Sequence, residues 1–107
     1  MNEVFMLGNF CRDPELRRTK NGTAVVNFDL AVPGKDRTDF IKCTAWGALA
    51  ESVEKFVHKG DRVLVSGRLE SSTYEKEGVK VYKMEVVCES IKFLFNQAPR
   101  DFSHYVE

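Results

Sequence analysis

The sequence carries no net charge, because sixteen lysines and arginines are balanced by sixteen aspartates and glutamates. The net charge therefore does not indicate a polyanionic partner such as nucleic acid. Only the positions of the cations can do so. Long hydrophobic runs are also missing. The apolar segments have strand length and are interrupted by charges, which fits neither a membrane span nor a signal peptide. We expect a cytoplasmic protein without membrane contact.

Cysteine and histidine are scarce, and the complete set is Cys11, Cys43, Cys88, His58 and His104. The cysteines are odd in number and lie far apart in apolar surroundings, so we expect buried free thiols. No spacing within this set matches a metal site, and no histidine can be placed beside a cysteine nucleophile. Asp36 and Asp39 have the pattern of loop charges. The sequence therefore predicts no metal, no cofactor and no enzyme, and its length allows one domain with a modest core.

The segment 38–47 has the most informative pattern in the chain. At the two-residue period of a strand, Ile41, Cys43 and Ala45 share one face, which is apolar and suits a core. The opposite face carries Thr38, Phe40, Lys42, Thr44 and Trp46. Two large aromatic residues therefore flank a lysine on a side that should meet water or a ligand. This combination is typical of a surface on which nucleic-acid bases stack while a cation meets phosphate.

The first strand, predicted over residues 2–11, is apolar on both faces. Val4, Met6 and Phe10 lie on one side, and Phe5 and Leu7 lie on the other. Such a strand needs two apolar partners, and one of them is the core of its own domain. The second partner is either another subunit or more of the same barrel, and the pattern alone does not decide between them.

The remaining pattern alternates strands with one helix. Asn21-Gly22 indicates a hairpin before a strand over residues 24–32, and a short connection over 33–37 leads into the central strand. A helix is predicted over residues 48–59, with Leu49, Val53, Phe56 and Val57 on its apolar stripe, an exposed His58 and Gly60 just beyond its end.

A strand follows over 61–70, with Val63, Val65 and Leu69 inward and a bend or bulge at Gly67. A polar hairpin over 71–82 turns near Glu77-Gly78, and the last strand needs a bulge near Glu89-Ser90, because its apolar phase reverses there.

These elements predict an all-β fold with one helix. Five antiparallel strands, a helix between the third and fourth and a long hairpin between the fourth and fifth form an OB-fold barrel. We expect residues 1–95 to form this domain and residues 96–107 to form a short, mobile polar tail.

Short matches spread along the chain resemble one known family. They are Asp13-Pro14-Glu15-Leu16-Arg17, Asn21-Gly22-Thr23-Ala24-Val25, Ala31-Val32, Thr38-Asp39-Phe40, Ala45-Trp46-Gly47, Leu49-Ala50-Glu51, Lys59-Gly60-Asp61-Arg62-Val63, Gly67-Arg68-Leu69, Ser72-Thr73-Tyr74-Glu75 and Glu85-Val86-Val87. In this order, from the N-terminus to residue 95, they resemble the bacterial single-stranded DNA-binding proteins of the OB-fold type. The resemblance implies base stacking on Phe40, Trp46 and Tyr74. It also implies a homotetramer or a dimer, in which the first strands pair through Val4, Phe5, Met6 and Leu7.

Eight cations are candidates for contacts with phosphate: Lys42, Arg17, Arg18, Lys35, Arg37, Lys59, Arg68 and Lys80. Lys42 is the first choice because it shares a strand face with Phe40 and Trp46, whereas any of the others is equally compatible with a solvated surface charge. The family pattern is not complete here. The connection over residues 33–37 is shorter than the usual basic finger, and no acidic tip follows residue 103. We therefore expect no recruitment of repair proteins through an acidic tail.

The sequence leaves two functions open. The first is binding and protection of single-stranded DNA, without base-sequence preference or catalysis, in replication, recombination, repair or uptake, with the protein associated with the nucleoid. The second is an OB-fold interaction module of a replication-restart, phage or plasmid complex that binds nucleic acid weakly. The neutral charge favours the second function, and the exposed aromatic residues favour the first. Phe40 and Trp46 are also compatible with a subunit interface or with cover by a loop.

Overall fold

The computed structural model describes residues 1–95, and the tail expected over residues 96–107 lies outside the described residues. The strands are β1 (Val4–Phe10), β2 (Leu16–Arg18), β3 (Ala24–Pro33), β4 (Thr38–Trp46), β5 (Arg62–Lys76) and β6 (Val79–Phe95). One helix, α1 (Gly47–Phe56), lies between β4 and β5. Residues 1–95 contain no helix with the length and apolarity that crossing a membrane needs.

The strands form a closed ring. The sheet order is β1-β5-β6-β4-β3-β2, and an additional pairing of β1 with β3 closes five of these strands into a barrel. The predicted OB-fold barrel is confirmed, with α1 between its third and fourth strands and the long hairpin between its last two. One pairing departs from the antiparallel expectation, because β4 runs parallel to β6 through Cys43↔Val86 and Thr44↔Val87. A parallel pair needs a crossover connection, which α1 and β5 supply.

The short strand β2 was not predicted. It pairs with β3 through Leu16↔Val26, Arg17↔Val25 and Arg18↔Ala24, and it extends the sheet beyond the barrel. Three residues are too few to show a two-residue period, so the sequence carries no signal for this strand.

The core follows the predicted alternation. Val26, Phe28 and Leu30 of β3 are buried together with Cys43 and Ala45 of β4. The rings of Phe10 and Phe28 stack with centroids 4.2 Å apart and planes 16° from parallel. Full burial of side chains of this size stabilises a fold by about 1.5–3 kcal/mol each. The face of β4 opposite Cys43 and Ala45 is thereby fixed toward the outside of the barrel.

Helix α1 ends at Phe56, three residues before the predicted end at residue 59. Val53 and Val57 are buried as predicted, but Phe56 is 55% exposed and Ala50 is fully buried. A ten-residue helix buries a narrow stripe, and the residues spaced from Ala50 to Val57 by three and four fill it. Asp61 fixes the chain after the helix, since its buried carboxylate accepts a hydrogen bond of 2.8 Å from the backbone of His58.

A bulge separates the two halves of β6. The register of β5 with β6 shifts between Ser66 and Gly67, leaving Glu89 as the extra residue, so the predicted bulge is confirmed. A Cβ atom at Gly67 would lie 2.1 Å from the carbonyl oxygen of Val87, so only glycine fits there. Beyond this point the hairpin leaves the barrel, and Leu69 is 44% exposed instead of inward.

The hairpin reverses where the sequence predicts. Glu77 and Gly78 have φ of 54° and 79°, and Lys76 pairs with Val79. Two successive residues with positive φ are typical of a type I′ turn, whose twist matches that of the flanking strands. The turn therefore fixes the register of the whole hairpin.

Strand β1 presents its second apolar face to solvent. Val4 and Met6 pack against the core, whereas Phe5 is 69% and Leu7 is 45% exposed. The interpretation in which one barrel covers both faces of this strand is therefore wrong.

The three cysteines are free, as predicted, but only Cys43 and Cys88 are buried, while Cys11 is half-buried. A side-chain hydrogen bond with Cys88, together with burial, raises the pKa of the Cys43 thiol far above its ordinary value. Cys43 and Cys88 are therefore neighbours in the core, and Cys43 stays protonated.

Candidate nucleic-acid interface

The outer face of β4 carries exposed aromatic side chains. Phe40 is 66% and Trp46 is 47% exposed, and the side chain of Lys42 between them is also exposed. Thr44 on the same face is buried, contrary to the open surface that parity suggests. The neighbouring positions of β3, opposite Phe40, Lys42 and Thr44, are Ala31, Asp29 and Asn27.

An open groove of about 890 Å³ borders this face. Asn27, Asp29 and Lys42 line it from β3 and β4, and Tyr74, Tyr82 and Met84 line it from the hairpin. Tyr74 is 51%, Tyr82 is 77% and Met84 is 62% exposed. The groove is therefore bounded by the sheet on one side and by an aromatic hairpin on the other.

The predicted stacking residues lie at different places in this site. Tyr74 and Lys42 line the groove together. Phe40 and Trp46 lie on the same strand face as Lys42, two residues before and four residues after it, and continue the surface beyond the groove lining.

Sequence reasoning missed Tyr82 and Met84. They continue the two-residue spacing of Val86 and Cys88, but only Val86 and Cys88 are buried. The row continues past the end of the barrel, where no core remains to cover it. Its distance from the turn indicated an exposed position, since Tyr82 lies only four residues after Gly78.

Half of the predicted cations are held by carboxylates. Lys42 Nζ lies 3.8 Å from Asp29 Oδ1, and Arg18 Nη2 lies 3.4 Å from Glu51 Oε2. Arg37 Nη2 lies 2.7 Å from Asp39 Oδ1, while Arg68 approaches Glu70 at 3.0 Å and Glu89 at 3.5 Å. Such exposed pairs contribute little stability, but each lowers the net charge offered to a ligand.

The other four predicted cations are Arg17, Lys35, Lys59 and Lys80, which form no ion pair within the part of the chain that the structure describes. Arg17 instead donates a hydrogen bond to Asn27. Two further cations, Arg12 and Lys83, line the groove and were not predicted. Arg12 follows the first strand and Lys83 lies on the hairpin, so their approach to Lys42 depends on the closure of the barrel and not on sequence spacing.

Polar side chains cross the sheet in one row, part of which lines the groove. Arg17 Nη2 donates to Asn27 Oδ1 at 2.8 Å, and Asn27 Nδ2 donates to the hydroxyl of Thr44 at 3.1 Å. The Thr44 hydroxyl donates in turn to Glu85, whose other oxygen lies 3.7 Å from Lys83 Nζ. The row links β2, β3, β4 and β6 and explains why Thr44 is buried.

The described residues form no cluster that could act as a metal centre. Within residues 1–95, no three His, Cys, Asp or Glu side chains come close enough together to hold a metal ion. The arrangement offers flat aromatic surfaces, cations and carboxylates, and the first two of these suit the bases and phosphates of nucleic acid.

The model of the Single-strand binding protein family matches residues 1–94. The chain belongs to this family. The match covers all six strands except the last residue of β6, so the whole barrel and the hairpin are included.

Curated members of the single-strand binding family extend the comparison. The chain is 42% identical to the Single-stranded DNA-binding protein of Halalkalibacterium halodurans, over 88% of this chain and 61% of the relative. It is also 42% identical to Single-stranded DNA-binding protein A of Bacillus subtilis, over 88% and 59%. With the protein of Clostridium tetani the shares are 88% and 70%, again at 42% identity. The chain thus spans about three-fifths of the length of the first two relatives.

Proposed function

We propose that this chain binds single-stranded DNA without base-sequence preference and without catalysis. The observation that carries the proposal is the outer face of β4, where Phe40 and Trp46 stand exposed on either side of Lys42. Exposed aromatic rings at such spacing suit successive bases, because every base has a flat face to stack. Each stacked base contributes about 1–3 kcal/mol to binding.

Tyr74 adds a stacking surface across the groove, and Tyr82 lies close enough to take part. A strand of DNA lying on β4 would therefore meet aromatic residues on the sheet and on the hairpin. Lys42 contacts phosphate between the stacked bases, and the remaining cations that were predicted contact the backbone outside the groove. Lys35, Lys59 and Lys80 are the strongest of these, because within residues 1–95 no carboxylate holds them and, unlike Arg17, they donate to no side-chain amide.

The names of the curated relatives support the same function. Family membership does not favour the alternative of a protein-interaction module with weak nucleic-acid binding. We infer that the chain covers and protects single strands during replication, recombination, repair or uptake, in association with the bacterial nucleoid.

Strand β1 provides a surface for self-association. Phe5 and Leu7 expose a contiguous apolar face, since residues two apart on a strand are neighbours. Val4 and Met6 fix the strand to the core from the other side. We propose that two chains pair through Phe5 and Leu7, and that such dimers form the tetramer. Light scattering of the Phe5→Glu variant tests this, with loss of the oligomer as the expected result.

The binding proposal is tested by titration with oligothymidine while the fluorescence of Trp46, the single tryptophan, is recorded. Stacking on Trp46 should quench its emission at low salt, and a duplex of equal length should not. An unchanged emission at low salt, together with unchanged anisotropy of a labelled oligonucleotide, would refute the proposal. A partner captured from lysate equally well before and after nuclease treatment would support the interaction module instead.

A further inference from the structure

The carboxylates that line the groove outnumber its cations by four to three. Its cations are Arg12, Lys42 and Lys83, and its carboxylates are Asp13, Glu15, Asp29 and Glu85. Every one of these cations lies close to a groove carboxylate. Arg12 Nη2 is 3.9 Å from Asp29 Oδ2, Lys42 Nζ is 3.8 Å from Asp29 Oδ1, and Lys83 Nζ is 3.7 Å from Glu85 Oε2.

Asp29 is the centre of this arrangement, because it alone among the groove carboxylates faces two cations within residues 1–95. The register places it directly opposite Lys42 across the β3–β4 pair, so the backbone holds the two side chains together. Glu85 is less accessible to a ligand than Asp29, because it accepts a hydrogen bond from Thr44 and its side chain is only 17% exposed. The side chain of Asp29 is 32% exposed and faces the space that a ligand would enter.

We propose that Asp29 is an affinity-limiting residue of this groove, acting as an internal counterion of Lys42 and Arg12. This inference rests on the proposed binding of single-stranded DNA. A phosphate that approaches Lys42 or Arg12 must compete with a carboxylate that is already in place. Binding then releases fewer solution ions, and its dependence on salt becomes shallow.

The test uses Asp29→Asn, which keeps the shape of the side chain and removes its charge. The matched control is Glu54→Gln on the exposed side of α1, outside the groove, because both variants raise the net charge from zero to plus one. Affinity for a labelled oligothymidine is measured by anisotropy between low and moderate salt. We expect Asp29→Asn to bind about fivefold more tightly at low salt, since one unit charge about 4 Å away is removed. The slope of log affinity against log salt should steepen by about 0.7 for each additional phosphate that the variant neutralises.

A double-variant cycle separates this role from a structural one. If Asp29 acts through Lys42, the increase in affinity from Asp29→Asn should be smaller in the Lys42→Gln variant than in the wild type. Asp29→Ser is measured in parallel, so that the result does not depend on the folding of one variant, and circular dichroism verifies that each protein is folded.

The possible results distinguish a specific role of Asp29 from an effect of net charge and from a failure of the proposed function. Tighter binding and a steeper slope in the Asp29 variants, with Glu54→Gln unchanged, support the inference. Equal increases in affinity for Asp29→Asn and Glu54→Gln would reduce the effect to net charge and overturn it. Unchanged or weaker binding by the Asp29 variants, while the wild type still quenches with oligothymidine, would overturn this inference alone. Absence of binding by the wild type and by every variant would overturn the proposed function with it.

Discussion

Thr44 donates its hydroxyl proton to Glu85 across the parallel pairing of β4 and β6. The same hydroxyl accepts a hydrogen bond from Asn27 Nδ2 at 3.1 Å, so one buried threonine joins three strands of the barrel. The Thr44→Val change keeps the shape of the side chain and removes both bonds. We expect it to lower the free energy of unfolding by about 1–3 kcal/mol, because buried polar partners lose their hydrogen bonds.

Urea unfolding followed by circular dichroism measures this loss. Thr38→Val at the exposed start of β4 is the matched control and should change stability by less than about 0.5 kcal/mol. Equal effects of the two changes would mean that the polar row contributes nothing to the barrel.

The exposed phenylalanines allow a matched test of stacking. Phe40 on β4 and Phe56 at the end of α1 are 66% and 55% exposed, but only Phe40 shares a face with Lys42. We expect Phe40→Ala to weaken oligothymidine binding by about 1–3 kcal/mol. Phe56→Ala should leave it unchanged, since Phe56 lies on the helix and not on the face of β4 that carries Lys42. Similar losses in both variants would place the binding surface elsewhere.

Stacking and charge at β4 contribute unequally. Lys42 is already paired with Asp29 at 3.8 Å, whereas Trp46 has an open face. At moderate salt, where phosphate contacts are screened, we expect Trp46→Ala to weaken binding more than Lys42→Ala. Anisotropy of a labelled oligothymidine measures both variants, because the first removes the intrinsic fluorophore. The opposite ranking would show that phosphate contacts dominate.

Gly67 lies where β5 and β6 approach each other closely. A methyl group there would meet the carbonyl oxygen of Val87 at 2.1 Å and the Cα atom of Cys88 at 3.0 Å. We expect Gly67→Ala to lower the free energy of unfolding by about 3 kcal/mol, as backbone atoms of β6 must shift. Gly34→Ala is the control, since its nearest contact is 3.1 Å in an exposed loop that can adjust. Thermal unfolding of both variants decides whether the bulge tolerates a side chain.

The thiols should differ in reactivity. Cys43 and Cys88 are buried neighbours, and the raised pKa of Cys43 keeps it from forming a thiolate at neutral pH. Cys11 is half-buried and open to reagent. Titration with a chromogenic disulfide should detect Cys11 alone in the native protein and all three thiols in denaturant. Rapid native modification of Cys43 would contradict the packing of β4 against β6.

Local patterns were sufficient for much of the site. Parity alone placed Phe40, Lys42 and Trp46 on one exposed face, because one side of β4 must cover the core. The turn at Glu77 and Gly78 was legible for a similar reason, since few sequences accept positive φ at two successive residues. These features depend on neighbours in sequence.

The features that could not be predicted from the sequence depend on how strands far apart in the chain pair with one another. Asp29 and Lys42 face each other because β3 and β4 align at that one offset, and a shift of one residue would separate them. The burial of Thr44 depends on Glu85, which is forty-one residues away. The exposure of Tyr82 was not predicted, because a strand pattern does not show where the barrel beneath it ends.

The outer part of the hairpin is less stable than the barrel that carries it. From residue 70 to residue 80 its two strands pair only with each other, and all of these residues are exposed. A two-stranded ribbon of this kind is marginally stable in water and opens locally far more readily than the barrel does. The part of the stacking surface that bears Tyr74 is therefore built on a segment with low resistance to hydrogen exchange. In the proposed complex with single-stranded DNA, we expect the ribbon to become ordered, and the conformational entropy lost then reduces the free energy of binding.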